Sequence, residues 1–426
     1  MTAPELSALQ RRLNIAESRP GEDWLVLVEN VPEWPEGARP PAEAPHAAHA
    51  GAPFSYEASQ GHPRLTEALV KREHEVSASR LADESHILVT AGGMHAIGLL
   101  LRDLAGQGYR KAVHATPVFC GVRDSMRAAG IRNKALPLTG TSDDLALLRS
   151  ECTEPTVVYV NLPHNPTGEV LRPGYLDVLA TLAERPDVHV VYDAVYDSFD
   201  FGPDRCPTPV DLAVSEPGLT IVNSVSKNYG RPGDRIGWIV AAEENIRRLV
   251  PRLEWEAVSI NGRAQLDAVA AISRGNTELV EAVRAGRAAY LTHSRGLAAA
   301  GPLPLGGTQL WLDLGVEDIE RFADFALERH HLVLTTSANY APRAAGPDPL
   351  PHGHPGAADE ARPDGDPSGP GGLEDERRKG NGRPWRQPLT ASAVRSGTGA
   401  ASSREWRPWS GCSRPRPMRS RGRPTP

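Results

Sequence analysis

Short apolar runs rich in β-branched residues alternate with longer stretches of helical period through the middle of this chain. Ile87-Leu88-Val89-Thr90 precedes a helical pattern from Met94 to Leu104, and Lys111-Ala112-Val113-His114 precedes one from Val122 to Ala129. Thr156-Val157-Val158-Tyr159-Val160 precedes another from Leu176 to Ala183, and Val188 to Tyr192 and Thr220-Ile221-Val222 continue the series. Gly237-Trp238-Ile239-Val240 is placed to return antiparallel. Strands alternating with helices at this spacing need right-handed crossovers, and hence a mostly parallel sheet covered on both faces. The pattern predicts a three-layer α/β/α sandwich with its ligand at the carboxyl ends of the strands.

Before this region, Leu6, Leu9, Leu13 and Ile15 have roughly helical spacing and Trp24 to Val28 is a short apolar run. A proline-rich passage from Val31 to Pro53 breaks regular structure, and Tyr56 anchors a loop that runs into an amphipathic helix at Leu65 to Val70. After Glu243 the chain is mainly helical, with one long helix expected from about Ala264 to Leu291. A strand at Thr308 to Leu314, a helix from Asp318 to Arg329 and a strand from His331 to Thr335 then sketch a smaller α+β domain that stops mid-pattern. The division expected is an arm and irregular segment at 1–50, a large domain at 51–245, a long helix with an incomplete small domain at 246–340, and a tail at 341–426.

That tail changes composition abruptly. Gly and Pro make up 28 of its 86 residues, it has no Ile, Phe or Tyr, and residues 377–426 carry thirteen Arg or Lys against the single acid Glu405. Such a segment buries too little apolar area to offset its conformational entropy, so disorder is expected. It reads as a basic arm for anionic partners, as a solvated low-complexity tail, or as GC-rich coding sequence translated out of frame. The last fits best with a domain that stops unfinished. For the whole chain, the net charge of −6 gives no reason to expect a nucleic-acid or membrane partner. The four cysteines have neither metal nor disulfide spacing, and no apolar run reaches the length of a membrane span, so a soluble cytoplasmic protein is expected.

Chemistry collects at the strand ends. Thr90-Ala91-Gly92-Gly93-Met94 is a glycine turn that aims backbone N–H groups and a positive helix end at an anion. Asn161-Leu162-Pro163-His164-Asn165-Pro166-Thr167-Gly168 is a rigid polar turn after a buried strand, in which the proline holds Asn165 extended so that its amide can project as a donor. Asp193-Ala194-Val195-Tyr196 puts a carboxylate at a strand end, where burial is costly unless it meets a cation or donor. Asn223-Ser224-Val225-Ser226-Lys227 places one amine among hydroxyls, and Gly233-Asp234-Arg235-Ile236-Gly237 follows with a guanidinium framed by glycines. An amine that forms an imine, together with hydroxyls and a guanidinium for a phosphate, is the set a phosphorylated aldehyde cofactor requires.

With four motifs in this order, the chain resembles fold-type I pyridoxal-phosphate enzymes of the class I/II aminotransferase family over about residues 50 to 337. The resemblance implies pyridoxal 5'-phosphate as cofactor, Lys227 forming the internal aldimine and shuttling a proton, and Asp193 pairing with the pyridine nitrogen. It implies further that Asn165 and Tyr196 bond the ring's phenolic oxygen, that Phe119 stacks on the ring, and that Gly92, Gly93, Met94, Ser224, Ser226 and Arg235 hold the phosphate. Tyr56 matches a tyrosine that crosses to a partner's phosphate, which implies a homodimer acting on an amino acid and a 2-keto acid. The family's substrate-carboxylate arginine belongs after Tyr340, where only Arg395 in Ala393-Val394-Arg395-Ser396 has a faint similarity. Its loss would leave a weak enzyme or a non-catalytic protein. Leu13-Asn14-Ile15-Ala16 is similar to segments in relatives that act on arginine-like amino acids, some of them oxidases. A lyase, cyclase or oxidase therefore remains the alternative to transamination.

Overall fold

The computed structural model describes residues 8–28, 30–39, 55–293, 304–340 and 388–391. Helix α1 (Ala8–Glu17) and strand β1 (Leu25–Leu27) come first, and α2 (Pro63–Val76) leads into β2 (Ile87–Thr90). Then follow α3 (Gly93–Gly106), β3 (Lys111–Ala115), α4 (Cys120–Ala128), β4 (Arg132–Leu136), α5 (Asp144–Glu151), β5 (Thr156–Asn161), α6 (Pro173–Ala183) and β6 (Val188–Asp193). The series ends with α7 (Val210–Ser215), β7 (Leu219–Ser224), the single turn α8 (Val225–Asn228) and β8 (Gly237–Ala241).

Among the described residues these strands build one seven-stranded sheet in the order β2-β8-β7-β6-β5-β3-β4. Only β8 runs against its neighbours, β2 and β7, as its place after the parallel run foretold. Residues of β2, β5, β6, β7 and β8 are buried throughout, the signature of a sheet with helices on both faces. The α/β/α sandwich is therefore the observed fold. Strand β4 was not anticipated: its Arg132-Asn133-Lys134-Ala135 is exposed at the sheet edge, so it carries no apolar run to read.

After α9 (Glu243–Ala257), the long helix expected from about Ala264 to Leu291 is two, α10 (Gly262–Arg274) and α11 (Thr277–His293), with the break at Gly275 and Asn276. Gly275 caps α10 at φ +81°, and the Asn276 amide turns inward to donate to the Asn228 carbonyl at 2.6 Å and to Ser198 Oγ at 2.9 Å. The break ties this helical segment to the loops under the site.

A second sheet has the order β1-β10-β11-β9, from β9 (Leu310–Asp313), β10 (Leu332–Thr336) and β11 (Pro388–Ala391), with α12 (Ile319–His330) alongside. Strand β11 corrects the expectation of disorder at 388–391: it lies antiparallel between β9 and β10, which have no direct pairing. Two unlinked strands with open backbone groups gain a shared partner by admitting it, a force that composition does not register. The remainder of the tail expected at 341–426, including Arg395, lies outside the described residues. No described helix is long and apolar enough to cross a membrane.

Candidate active site

The loops that leave the carboxyl ends of β2, β3, β5, β6 and β7, with the segment that enters β8, converge on a cavity of about 490 Å³. Gly93, Met94, Phe119, Asn165, Asp193, Tyr196, Ser224, Ser226, Lys227 and Arg235 all line it. Lys227 sits on α8, where the N–H of Tyr229 bonds back to the Val225 carbonyl and fixes the turn. Leu9, Val28 and Val31 from the N-terminal segment and Thr335, Asn339 and Tyr340 from the end of β10 complete the wall.

Asp193 is buried at the end of β6. The Tyr159 phenol donates to its Oδ2 at 2.6 Å and the Val195 N–H to its Oδ1 at 3.2 Å. Burial pushes its carboxyl up to about 6, and those two donors pull the other way. Asn161 on the neighbouring strand donates to the Asp193 carbonyl at 3.0 Å and accepts the Asn165 N–H at 2.8 Å, so one side chain sets the approach of both loops.

The Asn165 amide is oriented by what its oxygen accepts: Gln309 Nε2 at 2.9 Å, the Tyr340 hydroxyl at 3.2 Å and Asn30 Nδ2 at 3.3 Å. With Oδ1 engaged three times, Nδ2 is the group left to serve the cavity as a donor. Burial holds the Tyr196 phenol far above its ordinary range, so it too is a protonated donor.

Elsewhere at the cavity, Gly92 at φ +89° is the N-cap of α3 and Arg235 stands in the left-handed region at φ +53°. Arg235 donates to the carbonyls of Pro232 at 3.1 Å and Ala91 at 3.4 Å, which lays its guanidinium across Gly92: a Cβ there would stand 2.5 Å from Nη2. A Cβ at Gly237 would stand 2.6 Å from the Gly92 carbonyl carbon and 2.7 Å from the Gly93 nitrogen. The glycines thus permit the close approach of a helix N-terminus and an arginine, and with Ser224 and Ser226 lining the same cavity these make the donor set of an anion site.

Tyr56 lies apart, 82% exposed, in a separate cleft with residues 259–263. Phe119 is 41% exposed and presents its ring to the cavity from the N-cap of α4. Sequence reading missed Asn30, Tyr159, Asn161, Gln309 and Tyr340. Tyr159 stood in a strand run that read as core, and Asn161 opened the polar turn without being given a role of its own.

The family model for aminotransferase class I and II matches residues 22–336. This chain belongs to the class I and II aminotransferases. It is 38% identical to the 3-methylarginine biosynthesis aminotransferase ArgM of Streptomyces arginensis over 80% of this chain and 90% of that protein. It is 36% identical to the L-aspartate:5-guanidino-3-methyl-2-oxopentanoate transaminase of Pseudomonas syringae pv. syringae, over 82% and 90% of the two. Among solved structures it is similar to an aspartate aminotransferase from Thermotoga maritima, with TM-score 0.68 at 22% identity over 79% of this chain and 90% of that one.

Class I and II aminotransferases are pyridoxal-phosphate-dependent enzymes, and the cavity of this aminotransferase fits that group. Gly93, Met94, Ser224, Ser226 and Arg235 line the cavity with the donors an anion needs, at a place where a Cβ at Gly237 would collide with the backbone of Gly92 and Gly93, and the buried carboxyl of Asp193 lines the same cavity. Lys227, the cavity's one lysine among the described lining residues, and the donors Asn165 and Tyr196 complete the set.

Proposed function

We propose that this aminotransferase binds pyridoxal phosphate and moves an amino group between an amino acid and a 2-oxo acid that carries a guanidino side chain. The observation that supports it most is the likeness, over about nine-tenths of their lengths, to two relatives named for guanidino-bearing compounds. Among the described lining residues, Lys227 and Arg235 are the cavity's only cations, and both have assigned work at the cofactor. The wall from Leu9, Val28, Thr335 and Asn339 is neutral and does not repel a cationic side chain.

When bound, pyridoxal phosphate supplies an aldehyde carbon for amines and a protonated ring that draws electrons from the substrate Cα. In this reading Lys227 Nζ would hold the cofactor, carry a proton from the amino donor's Cα to the cofactor's aldehyde carbon, and in the second half-reaction carry one back to the Cα of the amino acid formed. Asp193 keeps the proton on the ring nitrogen, its oxygens already oriented by Tyr159 and Val195. Asn165 and Tyr196 donate to the phenolic oxygen, and Phe119 covers one ring face. The N–H groups of Gly93 and Met94, the Ser224 and Ser226 hydroxyls and Arg235 bind the phosphate. The chain acts as a homodimer, in which the exposed Tyr56 reaches the partner's phosphate.

Reconstituted protein given nitrogen-15-labelled L-aspartate and a guanidino-bearing 2-oxo acid should pass the label to the new amino acid, read by mass spectrometry. Transfer to other oxo acids but not to this one would reject the substrate class. Oxygen uptake with the amino acid alone, and no label transfer, would favour the oxidase reading instead.

A further inference from the structure

β6 and β7 are held in parallel register up to Asp193 and Val222, and the last backbone bond between them runs from the Ala194 N–H to the Val222 carbonyl at 2.8 Å. Beyond it the two chains carry the groups whose spacing matters most, Asp193 to Tyr196 on one side and Ser224 to Lys227 on the other. Side chains continue the ladder. Asn223 Nδ2 donates to Asp197 Oδ2 at 2.8 Å, and the Ser198 N–H donates to Asn228 Oδ1 at 3.2 Å. Asn223 Oδ1 accepts both the Ser224 N–H and Asn228 Nδ2, each at 2.8 Å, and so clasps the turn that bears Lys227 from both ends.

This clasp is buried and its charge is met from below. Arg72 on α2 reaches Asp197 Oδ1 at 2.6 Å and Glu73 at 2.8 Å, and its Nε donates to the Tyr229 hydroxyl at 3.2 Å. Asp197, Asn223 and Asn228 are all buried and none lines the cavity, so they act on the chemistry through other residues. We propose that Asp197, Asn223 and Asn228 are positioning residues that carry the register of β6 and β7 past the end of the backbone ladder and set the spacing between Asp193 and Lys227. The inference rests on the reading that those two groups hold the cofactor.

Asn223→Ala tests it in the full-length protein reconstituted with pyridoxal phosphate. The expected result is a dissociation constant raised about tenfold, the size of effect that follows from leaving a buried donor or acceptor unpaired, with a displaced midpoint in the pH titration of the visible absorbance. A comparison variant, Val333→Ala in the second sheet, lowers thermal stability without touching the clasp and should move neither reading. A folded Asn223→Ala protein with wild-type affinity and midpoint would overturn the proposal. Should Asn223→Ala not fold, Asn228→Ala removes one clasp bond and the acceptor for Ser198; wild-type behaviour there overturns the proposal equally. Failure of the underlying reading is distinguishable, since the visible band would then survive Lys227→Ala.

Discussion

The Tyr159 phenol donates a 2.6 Å hydrogen bond to Asp193 Oδ2, and both side chains are buried. A tyrosine thus steadies the carboxylate that the proposed mechanism sets against the ring nitrogen. Tyr159→Phe removes that donor while keeping the ring, so the ionised carboxylate loses support and its proton is held more tightly. Cofactor affinity should fall about tenfold or more, as the loss of a hydrogen bond to a charged group, roughly 1.5–3 kcal/mol, implies. Equal affinities for wild type and variant would reject the role.

Asp193 also predicts a pH dependence of stability in the cofactor-free protein. Its carboxyl is raised from 3.8 to about 6 by burial, so the folded state holds the proton that the unfolded state has released. The favourable contribution is whole below about pH 4 and is lost as pH rises through about 6, a change on the order of 3 kcal/mol. Urea denaturation of wild type and Asp193→Asn across that range should give curves that diverge with rising pH, wild type losing more. Parallel curves would show that the carboxyl ionises as freely folded as unfolded.

Gly237→Ala would put a methyl against the backbone of Gly92 and Gly93, 2.6 and 2.7 Å away. Backbone cannot yield as a flexible side chain can, so the N-terminus of α3 must shift away from the anion cradle. The variant should bind inorganic phosphate and pyridoxal phosphate at least about tenfold more weakly, following the loss of aligned N–H donors. Calorimetric titration with either ligand reads this, and unchanged phosphate affinity would place the anion elsewhere.

Strand β11 joins β9 to β10. A chain ended at residue 396 should keep the melting temperature of the full chain, whereas one ended at 387 should melt lower and be cut by protease within the second sheet. Indistinguishable melting and cleavage for the two would show that 388–391 contribute nothing to that sheet.

Much of the large sheet and its site was legible in the sequence because buried parallel strands are continuous apolar runs and the loops at their ends carry the chemistry. The four motifs led to Lys227, Asp193, Asn165 and Arg235, which the structure brings to one cavity. What lay hidden depends on contacts distant in sequence. Gln309 and Tyr340 matter because they meet Asn165, 144 and 175 residues away. β4 hid because an edge strand needs no apolar face, and the break between α10 and α11 hid because one glycine within a helical pattern is often tolerated. β11 hid within a segment whose composition spoke only of disorder.

The central claim is that Lys227 holds pyridoxal phosphate in the cavity at the ends of β5, β6 and β7. The chain has only five lysines, Lys71, Lys111, Lys134, Lys227 and Lys379, so the attachment point can be mapped without ambiguity. Protein reconstituted with the cofactor, reduced with borohydride and digested should carry the label on the peptide containing Lys227, and Lys227→Ala should lose both the label and the visible absorbance. Label fixed mainly at another lysine, or a visible band retained in Lys227→Ala, would contradict the account.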